Sequence, residues 1–444
     1  MADKKIIAVM GATGSQGGGL ANAILDGPHS EFTVRAITRN VDSDKAKALA
    51  KKGAQVVYGD LEEEESILAA FEGCYGAYLV TFFWDHFSPF KEQQQARMMA
   101  RCAQAAGLKH VIWSTLEDSR EYIPLDDDRM PTLQGKWKVP HYDSKGSIDH
   151  VFTDLNLPVT FLRTSFYWDN LYAFGMGPTP GKDDEYELTF PSGDSKIPGI
   201  AAEDIGKCAL GVFKRGDEFI GETVGIVGEN ITGAEMAQKL SNGLGINVQF
   251  YSPTPERYRG FGFPGADDIG NMFQFWHDFE DMYVGNRDLE LSRELSGGAL
   301  MDFDAWLDKY KSKIHYKVNG ADLKKWADDH GMLGKQFYIY FSTPNEGVTR
   351  VMQDVEPHLQ HLYKLEREGK LVFSGPFADS DNTDFVGDGM VVLRCKNLQE
   401  AIDIAEADPF HQSGVRSYRV TPWQMNEGVI QLKVTNSIRR HEVL

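Results

Sequence analysis

A chain of 444 residues exceeds what one hydrophobic core organises and calls for two or three domains. Its 42% hydrophobic and 25% charged residues are those of a soluble globular protein, and 65 Asp and Glu against 46 Lys and Arg leave a net charge of −19. That balance speaks against a nucleic-acid partner, which would need concentrated positive charge. No apolar run reaches the ~18 residues of a membrane span and no signal pattern precedes Lys4, so neither membrane nor secretion is expected. Cys74, Cys102, Cys208 and Cys395 lie far apart and read as reduced thiols of a cytoplasmic protein, with the nucleus also open.

The chain opens on an apolar strand, Ile6 to Val9, that breaks into a glycine-rich turn and then a helix carrying Leu20, Ala21, Ile24 and Leu25 at helical spacing. Gly11, Gly14 and Gly17 fall three apart. The first lets the strand turn, the second admits a pyrophosphate close to the backbone, and the third lets the helix pack against the sheet. Phosphates would then sit on the unpaired N–H groups of the helix start. The second strand ends at Thr38, Arg39 and Asn40, where an arginine accommodates the 2′-phosphate of NADP and an acidic residue would favour NAD. Arg39 therefore points to NADP(H); the alternative is a solvated surface arginine. Asp60, after the third strand Ala54 to Tyr58, either meets an adenine amino group or caps the helix Glu63 to Phe71. The fourth strand, Gly76 to Thr81, runs into Phe82, Phe83 and Trp84, which either wall a nicotinamide or cover the core. A helix from Phe90 to Ala106 and a strand from Lys109 to Thr115 continue the alternation expected of a doubly wound parallel sheet, with its crevice at the strands' carboxyl ends.

The segment WKVPHYDSKGSIDHVF places His141 four residues before Lys145, on one face of a helix that Pro140 begins. Short-chain reductases carry Tyr-x-x-x-Lys here, the lysine charge easing proton transfer at the phenol. Tyr142 lies one step around the helix. A sixth strand, Leu157 to Leu162, leads to Phe166, Tyr167 and Trp168; Gly177 to Ile200 reads as an excursion and Asp204 starts a returning helix. The helical, aromatic stretch from Thr254 to Lys311 is expected to cap the crevice, with Trp276 and His277 either at the substrate or in the core.

GATGSQGGG, TRN, GDLEEEESI, HYDSKGSIDHVF, RTSFYWDNL and GFPGADDIGNMF together resemble the NmrA-like family of atypical short-chain dehydrogenase folds, most closely its redox-sensor branch, over about residues 4–311. The resemblance implies a Rossmann core at about 4–165 with later returning segments, a cap at about 166–200 and 254–311, and NADP(H) as cofactor. It implies a binding site built from Gly11, Thr13, Gly14, Ser15, Gln16, Gly17, Arg39, Asp60, Leu61, Thr81, Phe83, Lys145, Phe166, Trp168 and Asn170. Sensor members with a histidine at position 141 are held to bind NADP(H) with little or no catalysis, whereas isoflavone-reductase-like relatives work with the lysine alone.

After a polar linker at 319–334, a β-α-β-β-α-β pattern restarts at Lys335 and reads as a ferredoxin-like domain to residue 444. Its strands are expected at Gln336 to Phe341, Leu371 to Ser374, Met390 to Cys395 and Val415 to Val420, with a further one at Val429 to Val434. His358-Leu359, Gly369-Lys370-Leu371, Ser374-Gly375-Pro376, Asp408-Pro409-Phe410 and Pro422-Trp423 resemble the YCII-related family over 335–423. That resemblance implies a homodimer of α/β-barrel type and a possible second site at His358 and Asp408; both residues also fit a structural role, on an apolar stripe and at a helix start. Two functions are expected: an NADP(H)-binding redox sensor reporting to a protein partner, or an NADPH-dependent reductase of a small carbonyl, enone or quinone using Lys145, with His141 as possible proton donor. No metal ligand set is expected.

Overall fold

The computed structural model describes residues 4–27, 31–181, 185–314, 335–345, 348–378, 385–425, 432–435 and 440–443. The chain divides into two compact units, Met1–Lys317 and Val318–Leu444. The expected linker at 319–334 lies outside the described residues.

The first unit is built on a seven-stranded sheet in the order Thr223–Gly225, Val159–Arg163, His110–Thr115, Gly76–Leu79, Lys5–Val9, Phe32–Thr38, Gln55–Tyr58. Every pairing is parallel. The first strand therefore lies between the second and the fourth, and chain order reverses at its carboxyl end, where doubly wound sheets open a crevice. Apolar layers fill both faces: Val9, Leu20, Ile24, Ile205 and Phe213 on one, Ile67, Phe71, Met99, Trp113 and Phe152 on the other. The returning helix Ala202–Arg215 lies so close to the first helix, Ser15–Leu25, that a Cβ on Gly206 would stand 2.0 Å from the Leu20 nitrogen.

Two differences from the sequence reading matter for the site. The helix after Pro140 ends at Gly146, and a second one spans Asp149–Asp154. At the break, a Cβ on Gly146 would meet the Asp118 nitrogen at 2.4 Å, so backbone packing displaces helical continuity. The cap also includes more of the chain. Glu229–Thr232 and Val248–Tyr251 join two three-stranded sheets with Phe166–Tyr167, Lys196–Ile200, Thr179–Pro180 and Tyr186–Thr189. Their aromatic core holds Phe166, Trp168, Phe273, Trp276 and Trp306, so Trp276 packs inside rather than facing a substrate. His277 is exposed beside Asp278.

In the second unit an antiparallel sheet runs Leu371–Ala378, Phe385–Leu393, Lys335–Pro344, Arg416–Met425. The strand order 2-3-1-4 is ferredoxin-like. Leu432–Thr435 pairs with Arg440–Val443 as a separate hairpin. The expected strand at Val429 to Val434 is thus only partly described, and its described part lies outside the main sheet. Helices Val355–Arg367 and Leu398–Glu406 cover one face through Leu362, Leu365, Ala401, Ile404 and Ala405 against Tyr338, Tyr340 and Val391.

Candidate active site

The glycine turn meets the requirements of an anion cradle. Gly11 has φ +59°, and the Gly14 nitrogen donates to its carbonyl at 2.8 Å, tightening the loop. A Cβ at Gly17 would lie 2.5 Å from the Met10 carbonyl oxygen and 2.6 Å from that of Gly11, so no side chain fits. The helix N-terminus at Gly14 has no side-chain cap, and Gly14 and Ser15 are exposed. Thr13 is half-buried; Lys45 donates to its carbonyl at 3.3 Å, setting a second cation, unnoticed in the sequence, beside the turn. Gln16 is already engaged: its Oε1 accepts from Tyr78 and from Ser114 at 2.8 Å, and its Nε2 donates to the Tyr167 hydroxyl. That residue ties the turn to the strand ends.

Arg39 is exposed just past the second strand and lies 3.4 Å from Asp85, an ion pair open to solvent on both sides. Asp60 accepts from the Glu62 nitrogen at 3.0 Å and closes a turn; the cap of the helix Glu64–Phe71 is Glu63, so Asp60 does not itself cap it. Leu61 is half-buried against the core beneath. Asn170 opens the short helix Asn170–Ala173. Phe166 and Trp168 depart from the expected nicotinamide wall, because both are buried among cap aromatics: Phe166 against Phe190, Phe273 and Trp276, Trp168 against Phe303 and Trp306. Tyr167 between them is the side chain that reaches the turn.

Around Lys145 the structure gathers groups from four elements. Its ammonium lies 2.7 Å from Glu92 Oε1 and donates to the Thr81 hydroxyl, which in turn donates to Glu92 at 2.6 Å. The indole of Trp113 flanks it at 5.1 Å. Glu92 is fully buried; burial raises its carboxyl and the contacts with Lys145, His86 and Thr81 more than reverse this, holding it well below the usual carboxylate range. Asp143, between His141 and Lys145, accepts from the backbone of Ser119, Lys138 and Val139 and from the Ser119 hydroxyl, which fixes the start of this helix. Burial pushes its carboxyl up to about 6.

His141 meets a partner from the cap. Its Nδ1 lies 2.7 Å from Asp268 Oδ1, and its backbone nitrogen donates to Oδ2 at 3.2 Å. Asp268 belongs to the helix Ala266–Asp278, whose Asn271 and Gln274 recur at three-residue spacing on the same face and grip the Lys138 and Arg129 carbonyls at 2.6 and 2.8 Å. Arg259 donates to both amides and orients them. The carboxylate places the Nδ1 proton on its own side, leaving Nε2 as the exchanging atom; it makes no hydrogen bond among the described residues. Phe83 and Trp84 pack around the imidazole, with ring centres at 6.0 and 4.8 Å. Tyr142 cannot take the part of the missing tyrosine, since its hydroxyl is buried against Tyr283 at 2.8 Å and Trp276 at 3.1 Å.

The second unit brings His358 and Asp408 together. His358 Nδ1 lies 2.9 Å from both carboxylate oxygens, and Asp408 also accepts from the Tyr340 hydroxyl at 2.9 Å and the Phe410 nitrogen at 3.0 Å. The Phe410 ring stacks on the imidazole at 4.1 Å.

A YCII-related domain model matches residues 336–424. Among curated relatives, the NmrA-like family domain-containing oxidoreductase FrzB of Cladobotryum sp is 29% identical over 290 residues, 61% of this chain and 83% of that protein. The oxidoreductase lnaB of Aspergillus flavus is 27% identical over 308 residues, 65% of this chain and 88% of that protein. Among solved structures, NmrA, a negative transcriptional regulator, in complex with NADP superposes with TM-score 0.55 at 21% identity, covering 69% of this chain and 95% of that one. The Citrobacter sp. triphenylmethane reductase complexed with NADP(H) gives 0.52 at 22% identity, covering 70% and 98%. At those identities the likeness is one of fold. With the family model matched over residues 3–307, the chain belongs to the NmrA-like family.

Proposed function

We propose that this protein is an NADPH-dependent reductase of a small conjugated or carbonyl acceptor, with His141 as proton donor. One observation carries this: the imidazole that replaces the usual tyrosine is clamped by a buried aspartate, one helical turn from Lys145. With Nδ1–H held by the carboxylate, the ring donates from Nε2 as the imidazolium and is left as the neutral Nδ1–H tautomer. NADPH would supply the hydride. The glycine turn would hold its pyrophosphate, Arg39 and Lys45 its 2′-phosphate, and Lys145 its nicotinamide ribose. The cofactors bound by NmrA and triphenylmethane reductase support this choice. The test is NADPH consumption by the purified chain over quinones, enones and aldehydes. Turnover of order 1 per second supports the reductase.

A second reading keeps the cofactor and drops the chemistry. Lys145 is already paired with Glu92 and hydrogen-bonded to Thr81, as suits a lysine that only binds. On that reading the chain is a redox sensor reporting the cofactor to a protein partner. NADPH would then be bound, ordering the Arg39 loop and the turn Phe83–Asp85, without being consumed.

The second unit would pair two copies of the chain. The sheet face opposite its helices carries Phe337, Ile339, Phe341 and Val392, with Phe373, Phe377 and Trp423 exposed at 48, 38 and 39%. Large exposed apolar groups on one sheet face favour association. Light scattering of the intact chain should give a dimer, and Phe373→Lys with Trp423→Lys a monomer; a monomeric wild type would refute the pairing.

A further inference from the structure

The site contains a fully buried charge, in direct contact with Lys145, that the sequence pattern does not single out. Glu92 projects from the helix Pro89–Ala105, four residues after its cap Ser88, and is wholly inaccessible to solvent. A buried carboxylate is costly unless paired, and Glu92 is half paired. Oε1 takes Lys145 and the Thr81 hydroxyl, while Oε2 has no aligned hydrogen bond. Facing Oε2 at 3.4 Å is His86 Nε2, also without one. His86 Nδ1 accepts from the Ser88 nitrogen at 3.1 Å, so the proton of the neutral ring is on Nε2, the nitrogen that lies near Glu92. Lys145 is faced by Glu92, by Thr81, by the Trp113 ring, and at longer range by Asp149. Glu92 is thus the carboxylate in direct contact with the lysine.

We infer that Glu92 is the positioning residue of this centre: it pairs with the Lys145 ammonium and fixes it against Thr81, with its second oxygen facing His86. The consequence is that the Lys145 ammonium is held, paired and oriented, where the ribose would lie. Without Glu92 the same amine would keep only the longer-range Asp149 as a facing carboxylate, and burial would then favour its neutral form. This deepens the cofactor assignment above and rests on it only where NADPH is the readout.

The test has a part that needs no cofactor. Trace acetylation of the intact chain, read at Lys145 by mass spectrometry from about pH 6 to about pH 11, follows the amine's titration directly. In Glu92→Gln, Lys145 should lose its proton at a pH about one to three lower than in the wild type. Glu92→Asp, which keeps the charge, should fall between. Identical titration in wild type and Glu92→Gln overturns the inference. NADPH affinity, followed by nicotinamide fluorescence, should be flat with pH in the wild type and drop about tenfold on the alkaline side in Glu92→Gln, as expected for a lost charge-assisted contact. The double variant Glu92→Gln with Lys145→Met should bind weakly and without pH dependence. If the wild type binds no NADPH, the cofactor assignment fails and the acetylation result still decides the pairing. Should Glu92→Gln not fold, the double variant, which removes both charges, is expected to fold; failure of both to fold would overturn the inference.

Discussion

Two His–Asp pairs among the described residues join side chains far apart in sequence, in settings that give them different work. His141 and Asp268 meet at 2.7 Å across 127 residues, and His358 and Asp408 meet at 2.9 Å across 50. In the first pair the carboxylate serves the histidine, through its ring and its backbone nitrogen. In the second the carboxylate is shared: it caps the helix Pro409–Gln412 through the Phe410 nitrogen, receives the Tyr340 hydroxyl from the sheet, and takes His358 as a third partner. The first pair also has Lys145 one turn away on the same helix. A His–Asp contact is therefore not a site by itself; what else the carboxylate must satisfy decides whether the pair is free for chemistry.

The sharpest way to break this comparison is to remove each histidine's function separately. His141→Gln should lower reductase kcat by about 10²–10⁴-fold, the usual contribution of a positioned acid, with NADPH affinity kept. His358→Gln should leave kcat unchanged; a comparable loss there would make the second pair catalytic. Next in size, Asp408→Ala removes a cap and strands buried donors, and should cost about 2–3 kcal/mol of local stability. Hydrogen exchange along Lys335–Pro344 would measure it, and unchanged protection would contradict the structural role.

Cofactor selection gives a smaller effect. Arg39→Ala should weaken NADPH by about ten- to a hundredfold and NADH hardly at all, as read by titration of both. Equal losses would remove Arg39 from the 2′-phosphate. The smallest effect concerns pH. Asp149 accepts from Trp113 and Thr115, and burial pushes its carboxyl from 3.8 up to about 7. The folded chain then holds this proton more tightly than the unfolded one. Its contribution to stability is greatest at acid pH and is lost as pH rises from about 4 toward about 7. Asp149→Asn should stabilise the first unit at neutral pH by of order 1 kcal/mol and flatten that slope, as measured by urea unfolding at several pH values.

What could be read from the sequence was local. The strand, turn and helix around Gly11 to Gly17 follow from residue type and spacing, and the one-face placement of His141 and Lys145 survives because the helix breaks only at Gly146. The decisive partners were not legible. Asp268 sits in an acidic, aromatic stretch that reads as cap, and Glu92 in a run of glutamines within the helix expected at Phe90 to Ala106. Nothing local marks either as buried; both are selected by what the fold carries to them from 127 and 53 residues away. The aromatic loop misled for the related reason that strand alternation, not residue type, decides which of Phe166, Tyr167 and Trp168 faces the crevice.

The central claim is that an aspartate from the cap equips His141 to donate a proton. The direct measurement is NADPH oxidation by the intact chain, wild type against Asp268→Asn, over the acceptor panel. Turnover of order 1 per second in the wild type, reduced at least about tenfold in Asp268→Asn with NADPH binding intact, is the result this account requires. NADPH that binds, protects the Arg39 loop from hydrogen exchange and is consumed by neither protein would contradict it and leave the sensor reading in its place.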